Sequence, residues 1–288
     1  MRANHYFEIG NEHQVCQDYA TSGIINDKIA YGIVSDGCSA SNNSDLGARL
    51  FVLCAKKVLF RLFQIIKNIN ELKDNDYLGE MILNEVKQIA MQLELDLECL
   101  DCTLIIAVSD GEHTMVKMFG DGTMAVRRPS GLTCTKVEFT KGAPFYLSYG
   151  LNDARYEGYL TEFDQKAVIE CRGYNSEECG LSGQVYDELN QYYYPVDKTL
   201  HRTTSWFFDQ KIESVSIFSD GIDSYLKHDE DNNKRNTPVR SYDIIQRATH
   251  YNNKKGEFAV RRMKRIQKEC LKDNITHYDD ISIATILR

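Results

Sequence analysis

The sequence has no long apolar run, which limits how the chain can meet a membrane. The longest such run is CTLIIAV, residues 102 to 108, whereas a helix across a bilayer needs about 18 to 20 apolar residues. The opening residues, MRANHYFEIGNEH, contain no apolar stretch of signal-peptide length. We therefore predict a protein without a membrane partner.

Three further features are missing, and each excludes a class of protein. The nine cysteines are odd in number and form no disulfide framework, which favours a reducing compartment and predicts a cytoplasmic protein. Positive charge is not in excess, since the formal net charge is −8, so we predict no nucleic-acid partner. There is also no glycine motif of the P-loop or dinucleotide-binding type.

The composition that is present predicts one globular domain. Apolar residues make up 42% of the chain, enough for a sizeable core, and no linker or low-complexity segment divides it. We predict a single domain over 1–288. Its least readable part is the polar, tyrosine-rich stretch 172–205, which we interpret as a variable flap or insertion.

Two similar motifs organise the chain, IVSDGCS at 33–39 and IFSDGID at 217–223. Each is a short apolar run that predicts a buried strand ending in a turn, so that Asp36 and Asp220 lie where the chain leaves the core. Converging carboxylates repel each other unless protons or cations neutralise them. Oxygen ligands suit magnesium or manganese better than zinc. The alternative is that Asp-Gly is only good turn chemistry.

A third carboxylate lies near the first motif. The pair Asn26-Asp27 divides IINDKIAYGIVSDG into the two strands of a hairpin. Asp18 lies in the strand predicted before that hairpin, so it can neighbour Asp36 across a sheet. The alternative is a carboxylate on the solvent side of the strand.

The next segment predicts two helices packed on a sheet. Ser44 is the predicted N-cap of the first helix. Its predicted apolar stripe is Leu46, Leu50, Leu53, Val58, Leu62, Ile65 and Ile69. After a break at KDND (73–76), the predicted face of the second helix is Leu78, Ile82, Val86, Ile89 and Leu93.

Strand signals then return as four consecutive segments, which predict an antiparallel meander over residues 101–139. Asp110 and Asp121 both precede glycine, at opposite ends of this meander, so only one can face the first motif. We interpret Asp110 as a plain turn. Later segments predict strands at 163–171, 211–221 and 277–288, and helices at 241–249 and 257–271. The last strand begins at Asp279 and Asp280.

Six motifs together resemble a known family. They are QDYA, VSDGCS, CTLIIAV, FGDGTMAV, FSDGID and DDISIATI, and they follow the order and rough spacing of the metal-dependent protein phosphatases of type 2C in their bacterial form. The resemblance extends from about residue 8 to residue 287 and is weakest over 140–205. It implies an α+β fold, a four-layer αββα sandwich in which helix pairs flank two central antiparallel sheets.

The resemblance also implies an activity, its cofactors and its partners. The family hydrolyses phosphoserine and phosphothreonine in phosphoproteins with two bridged Mg²⁺ or Mn²⁺ ions, and a cognate serine/threonine kinase would be a further partner. Two such ions about 3.5 to 4 Å apart share a water, lower its pKa and offset phosphoryl charge. No side-chain nucleophile is then required. Cys38 is interpreted as packing, because no basic residue near it would form an anion cradle.

Site residues follow from positions that match the family's motifs. Asp36 matches the carboxylate that bridges both ions, and Gly37 the residue that offers a backbone carbonyl. Asp220 and Asp279 match further ligands of the first ion. Asp18 and Gln17 match the family's acidic motif in the shell of the second ion. Asp121 matches the ligand of a third ion, which is bound more weakly.

The chain departs from the family pattern in several places. Cys38, Ser39 and Ala40 follow Asp36-Gly37 where the family has flexible glycines, and Gly122 replaces a serine. His13 stands where the family has a phosphate-contacting arginine, Gln17 replaces a glutamate found in some members, and Asp280 replaces the usual asparagine. No core carboxylate is missing. The alternative to an active enzyme is a weakly active or inactive relative that uses the fold for binding or regulation.

Two other patterns have ordinary explanations. Cys99 and Cys102 have zinc-ligand spacing but no matching second pair, so we predict packing. A basic cluster comprises Lys254, Lys255, Arg261, Arg262, Lys264, Arg265 and Lys268. It is interpreted as a solvated helix face, with an acidic partner as the alternative.

Overall fold

The computed structural model describes residues 1–72, 77–163, 166–172, 190–195, 204–208, 212–228 and 236–288. Its strands, numbered in chain order, form two large antiparallel sheets and one small one. The first sheet has the order β1-β15-β11-β6-β7-β8-β9 and consists of β1 (Arg2–Glu8), β6 (Gly122–Arg128), β7 (Gly131–Phe139), β8 (Lys166–Arg172), β9 (Asn190–Pro195), β11 (Ser214–Phe218) and β15 (Ile281–Leu287). The second has the order β10-β5-β4-β3-β2 and consists of β2 (Asp18–Ile25), β3 (Ile29–Asp36), β4 (Leu104–Ser109), β5 (Thr114–Phe119) and β10 (Thr204–Phe208). The small sheet has the order β13-β12-β14 and consists of β12 (Tyr225–Lys227), β13 (Thr237–Pro238) and β14 (Ile275–His277).

Helices cover the outer faces of the two large sheets, which confirms the predicted four-layer αββα sandwich. The described helices are α1 (Ser44–Ile65), α2 (Leu78–Gln92), α3 (Asp153–Glu162), α4 (Ser241–Ala248) and α5 (Phe258–Lys272). One apolar cluster joins α1 and α2 to the five-stranded sheet. Another joins α4 and α5 to the seven-stranded sheet. No helix in the described ranges is long and apolar enough to cross a membrane.

A third apolar cluster fills the space between the sheets. It includes Val34 and Ile105 from the five-stranded sheet and Val126, Ile217 and Ile286 from the seven-stranded sheet, each at most 3% exposed. Each such side chain contributes about 1.5 to 3 kcal/mol when fully buried. The sheets are therefore held face to face by their apolar inner side chains, and the polar residues of the site lie at the strand ends.

The predicted hairpin is present and sets the register of the site. Asn26 and Asp27 have φ angles of 50° and 57°, the left-handed conformation that a two-residue hairpin turn requires. The first arm is longer than predicted. Asp18 begins β2 itself rather than a separate strand before the hairpin, and it pairs directly with Asp36 of β3.

The predicted stripe of α1 is partly wrong. Leu46, Leu53 and Ile65 are 43%, 49% and 80% exposed, because the helix turns another face to the sheet. That face consists of Ala48, Phe51, Val52, Ala55, Val58, Leu59 and Leu62. In α2, Leu78, Ile82 and Val86 are buried as predicted, Ile89 is partly buried, and Leu93 at its end is 58% exposed.

The cap of α1 also differs by one residue from the prediction. Asn43 occupies the N-cap position with a φ of 57°, and Ser44 is the first helical residue. The Ser44 hydroxyl accepts a hydrogen bond of 2.7 Å from Nε2 of Gln17. Ser44 thus links the helix to the strand that carries Asp18, rather than capping the helix.

The predicted single meander is wrong at its centre. Strands β4 and β5 pair in the five-stranded sheet, and β6 and β7 pair in the seven-stranded sheet. The segment Gly120-Asp121-Gly122 is therefore the crossing from one sheet to the other. Gly122 has a φ of +137°, and a Cβ there would lie 2.4 Å from Ile105 Cδ1, so only glycine fits without displacement.

The later elements largely agree with the prediction. Strands β11 and β15 and helix α4 fall within the predicted segments, and β8 and α5 each end one residue beyond theirs. Ala259, Met263, Ile266 and Cys270 are buried on α5. The stretch 172–205, which we interpret as a variable flap or insertion, contains strand β9 and the start of β10. Residues 73–76, 173–189 and 196–203 lie outside the described residues.

Candidate metal centre and active site

Three predicted carboxylates meet where the two sheets open at one end. Asp18 and Asp36 face each other as paired residues of β2 and β3, and Asp220 lies two residues beyond the end of β11 in the other sheet. The carboxyl group of Asp36 is in hydrogen-bonding contact with those of both Asp18 and Asp220. The fold thus brings together two motifs that are far apart in the sequence.

Ser219 connects this cluster to both sheets. Its hydroxyl donates a hydrogen bond of 2.5 Å to Oδ2 of Asp18 and accepts one of 2.9 Å from the backbone N–H of Ser282. The serine of the second Ser-Asp-Gly motif therefore fixes a carboxylate of the opposite sheet. Asp18 itself has no exposed surface, which makes it the innermost member of the cluster.

The electrostatics of the cluster favour added positive charge. Burial raises the pKa of Asp36, and the negative charges of Asp18 and Asp220 raise it further. Burial also raises the pKa of Asp18 and of Asp220. Three carboxyl groups in contact cannot all ionise without a proton or a cation between them.

Asp121 and Asp279 lie beside this cluster and line a cavity of about 410 Å³ together with Asp220. Burial and the charge of Asp220 raise the pKa of Asp121, so its carboxyl group belongs to the same electrostatic group. Asp121 reaches the cavity because the Gly120-to-Gly122 crossing lies at this end of the sheets. The structure therefore brings all five predicted carboxylates to one end of the sandwich.

The segment that precedes β2 is tied to the start of β15 by Asp280. Its Oδ1 accepts a hydrogen bond of 2.7 Å from the Gly10 N–H, and its Oδ2 accepts one of 2.6 Å from the Gln17 N–H. Asp280 is 1% exposed, so the two bonds replace water at both oxygens. This residue holds the backbone next to Asp18 rather than facing the cavity.

His13 lies against the same pair of aspartates. Its Nδ1 is 3.0 Å from Oδ2 of Asp280, and its Nε2 is 3.5 Å from Oδ1 of Asp279. The contact of Nδ1 with Asp280 does not have the geometry of a hydrogen bond, and it is an ion pair when the ring is protonated. Burial opposes protonation, but Asp280, Asp279 and Asp18 outweigh it and raise the pKa of His13.

Gly37 occupies the tight turn that follows Asp36. A Cβ at this position would lie 2.6 Å from the backbone oxygen of Ser44, so the turn can approach the start of α1 only with glycine here. The Gly37 N–H donates to the Gln17 carbonyl at 3.2 Å. The side chain of Gln17 donates to Ser44, so the contacts of Gln17 with Gly37 and Asp280 are made by its backbone.

The donor set fits hard divalent cations, although the carboxyl groups currently contact one another. All five side chains offer oxygen, the preference of Mg²⁺ and Mn²⁺. Among the described residues, no N–H or O–H group donates to the buried Oδ1 of Asp18, so that oxygen is available to a cation-bound water. In the part of the chain that the structure describes, no group of three His, Cys, Asp or Glu side chains is already arranged as a metal cage.

The sequence analysis missed a buried anchor behind the Gly37 turn. Asp101 accepts hydrogen bonds from Ser148, Arg155 and Ser41 at 2.6, 2.6 and 3.2 Å. Its backbone carbonyl accepts one of 2.8 Å from the Cys38 N–H. The segment around α3 is thereby fixed to the turn that positions Asp36, and no sequence motif signals this.

Lys136 was also missed, although it lines the cavity. Its ammonium group contacts Asp223 at 2.8 Å and also pairs with Glu138. Burial opposes its charge, but these carboxylates prevail and raise the pKa of Lys136 to about 12. The alternation of TKVEF in β7 places Lys136 and Glu138 on one face, which is the only sequence signal for this pair.

Asp110 and the Cys99–Cys102 pair have the structural roles predicted for them, a turn and core packing. Oδ1 of Asp110 accepts hydrogen bonds from the backbone of Glu112 and His113 at 2.9 and 2.7 Å, as expected for a turn. It lies at the end of β4 that pairs with Ala30, away from Asp36. Cys99 and Cys102 are free and buried, in the cluster that packs α1 on the sheet.

Comparison with solved structures finds the same fold in several phosphatases. A serine/threonine phosphatase of S. agalactiae superposes with a TM-score of 0.54 at 12% identity, covering 100% of this chain and 99% of that one. The serine/threonine phosphatase Stp1 of Staphylococcus aureus has a TM-score of 0.54 at 12% identity, with coverage of 99% and 94%. The serine-threonine phosphatase 2C of Toxoplasma gondii has a TM-score of 0.51 at 14% identity, again with 99% and 94%.

Sequence comparison gives the family. No curated protein matches the chain in sequence. A family model described as protein phosphatase 2C matches residues 10–265, which is most of the chain and includes the two Ser-Asp-Gly motifs. The chain belongs to the protein phosphatase 2C family.

Proposed function

We propose that this protein is a metal-dependent phosphatase that hydrolyses phosphoserine and phosphothreonine in proteins. The observation that carries the proposal is the contact of Asp36 with both Asp18 and Asp220, next to a cavity lined by Asp121 and Asp279. Carboxylates from both sheets are brought together at a cost in repulsion, and cation binding is the function that offsets this cost.

Asp36, Asp220 and Asp279, with the Gly37 carbonyl, would hold two Mg²⁺ or Mn²⁺ ions. Asp18 would support the second ion from inside the cluster, and Asp121 would serve a third. When bound, such ions activate a water and offset the charge of the phosphoryl group. Binding must first separate the carboxyl groups that now contact each other, so we expect it to release protons.

The chain's own groups would orient the substrate. His13 lies beside Asp279, which lines the cavity, and we propose that it contacts the substrate phosphate. Lys136 also lines the cavity, but Asp223 and Glu138 balance its charge, so a phosphate dianion would depend on the bound cations for neutralisation. Cys38 is not needed as a nucleophile, since the attacking group would be water.

The partners follow from this chemistry. The substrate would be a phosphoprotein, and a cognate serine/threonine kinase would supply its phosphate. We also propose that 1–288 forms one domain, with a variable flap or insertion at about 172–205. The cytoplasmic location stays a prediction of the sequence.

Hydrolysis of p-nitrophenyl phosphate and of a phosphothreonine peptide, measured with and without Mn²⁺, tests the proposal. We expect turnover that requires Mn²⁺ and is abolished by a chelator. A second assay of Mn²⁺ binding by calorimetry separates the alternatives. Binding without turnover would support the weakly active or regulatory relative, and no binding would refute the metal centre.

A further inference from the structure

A second cavity lies far from the carboxylates, where α4 leads into α5. Its volume is about 190 Å³. Arg261, Arg262 and Arg265 of α5 line one side, and His250 and Asn253 of the preceding segment line another. Tyr251 and Phe258 form an edge-to-face aromatic pair in its wall, with centroids 4.9 Å apart. The cavity thus combines an aromatic wall with three guanidinium groups.

The positive charge of this cavity is only partly balanced by nearby carboxylates. The carboxylate of Glu269 contacts Arg247 at 2.9 Å and Arg265 at 3.3 Å. Among the described residues, no carboxylate lies within ion-pair distance of Arg261 or Arg262. Burial lowers the pKa of Arg262, and the charges of Arg247 and Arg265 lower it further against the opposing effect of Glu269.

Backbone contacts hold the guanidinium groups in place. Nε of Arg262 donates a hydrogen bond of 2.6 Å to the Arg247 carbonyl, and Arg261 donates to the Lys255 carbonyl. These bonds orient the side chains but leave their charge unneutralised. A guanidinium held in this way is prepared for a carboxylate, which it binds with two parallel hydrogen bonds.

A row of exposed lysines extends the cavity into a longer surface. Lys254 and Lys255 lie on the loop, and Lys264 and Lys268 lie one turn apart on α5. The row along the helix from Arg261 to Lys268 spans about 10 Å. A single small anion would fill only the cavity, whereas an extended acidic chain could contact the cavity and the row together.

The surface is separate from the proposed active site. The hydroxyl groups of Tyr251 and Thr285 share a hydrogen bond of 2.9 Å, and Thr285 lies near the end of β15. Asp279, in contrast, lies just before the start of that strand. Six strand residues span about 20 Å. A ligand on this surface would therefore leave the cavity of Asp220 open.

We propose that this surface docks an acidic segment of a partner protein, one carboxylate of which enters the arginine cavity. The net charge of the chain is −8, so the surface is a local exception that selects acidic chains by complementarity. The same net charge disfavours nucleic acid, whose binding requires a broadly basic surface. The docking does not depend on the proposed catalysis.

Fluorescence anisotropy with a labelled peptide of about ten alternating Glu and Asp residues tests this at about 100 mM salt. We expect saturable binding that weakens as salt rises, and no binding of the matching Gln and Asn peptide. The double variant Arg261→Gln/Arg265→Gln should weaken binding about tenfold. Both side chains are exposed, and the contacts that they lose, with Lys255 and Glu269, lie on the surface, so the melting temperature should fall by no more than about 2 °C.

A matched control makes the same change of charge elsewhere. Lys28→Gln/Lys67→Gln alters two exposed lysines outside the surface and should leave binding within about twofold. Equal loss in both double variants would overturn the proposal, because net charge alone would then explain it. If Arg261→Lys/Arg265→Lys bound the acidic peptide as tightly as the wild type, the proposal that the cavity recognises a carboxylate through its guanidinium groups would be wrong.

Competition experiments distinguish other anions. Inorganic phosphate should displace the peptide only at concentrations far above those of unlabelled peptide. Displacement by phosphate at peptide-like concentrations would identify a small-anion site and refute docking. Binding to phosphatidylserine vesicles without binding to the peptide would likewise refute it in favour of a membrane surface.

Discussion

Asp36 is the residue on which the proposed metal centre depends. It contacts carboxyl groups from both sheets, and it lies at the end of the strand that Gly37 terminates. Its neighbours are held independently of it, Asp18 by Ser219 and the Gly10 and Gln17 backbone by Asp280. A change at Asp36 should therefore affect the chemistry more than the fold.

Asp36→Asn should lower Mn²⁺-dependent turnover by at least about a hundredfold, because a neutral amide cannot bridge two cations. Without metal, the same change removes repulsion among buried carboxylates, so the free energy of unfolding should stay level or rise by about 1 kcal/mol. Turnover and urea unfolding measure the two effects. Wild-type turnover in Asp36→Asn would contradict the two-metal mechanism.

Asp280 allows a sharper test, because its two oxygens each accept a backbone N–H. Asp280→Asn would turn an NH₂ group toward one of those donors. We expect a loss of about 2 kcal/mol in the free energy of unfolding, measured by urea unfolding without metal.

The matched control is Asp110→Asn. Asp110 also accepts two backbone N–H groups, but both bond to Oδ1, so asparagine can keep them. This variant should unfold within about 0.5 kcal/mol of the wild type and keep its turnover. Equal loss at the two positions would show that the second oxygen of Asp280 has no special role.

Residues of the site differ in how far the sequence reveals them. Asp36 and Asp220 were predictable because a carboxylate after a buried strand and before glycine has few other places to lie. The roles of Ser219, Asp101 and Lys136 were not predictable, because their partners are remote in sequence. Nothing in the sequence distinguishes them from any other serine, aspartate or lysine in a strand or turn.

At the scale of elements, the crossing at Gly120-Asp121-Gly122 decides where Asp121 lies. Gly122→Ala combines a φ of +137° with a Cβ 2.4 Å from Ile105 Cδ1 and 2.8 Å from the Phe218 carbonyl oxygen. We expect a loss of about 3 kcal/mol in the free energy of unfolding. Turnover should fall as well, since the crossing positions Asp121.

Gly158→Ala serves as the control for that substitution. Gly158 lies within α3, and nothing lies within 4 Å of a Cβ built there. Alanine should therefore stabilise the protein slightly, by up to about 1 kcal/mol. A similar loss in both variants would mean that the conformation of Gly122 does not matter to the crossing.

The elements themselves were mostly predictable, but the sheet to which each strand belongs was not. Alternating and apolar runs predict that β4, β5, β6 and β7 are strands. A short turn with Asp-Gly looks the same whether it reverses a chain within one sheet or carries it to the next, so the meander was mispredicted. The stripe of α1 was misassigned because its apolar residues surround more than one face.

At the scale of the whole molecule, the proposed metal centre lies between the two sheets. Asp18 and Asp36 belong to the five-stranded sheet, and Asp220 and Asp279 lie at the ends of strands β11 and β15 of the other. The apolar cluster between the sheets holds them together elsewhere. Cations bound by both sets would therefore link the sheets at the end where the carboxylates now repel.

This arrangement predicts that Mn²⁺ stabilises the fold. A ligand at a hundred times its dissociation constant adds about 2.7 kcal/mol, which for a chain of this size corresponds to a rise of about 5 °C in melting temperature. Scanning calorimetry with Mn²⁺ and with a chelator measures the shift. Asp220→Asn should lose most of it, because one sheet no longer contributes its ligand, whereas Asp110→Asn should keep it. A shift of the same size in Asp220→Asn would mean that the cation binds outside the cluster, and the sheets would then be joined by their apolar core alone.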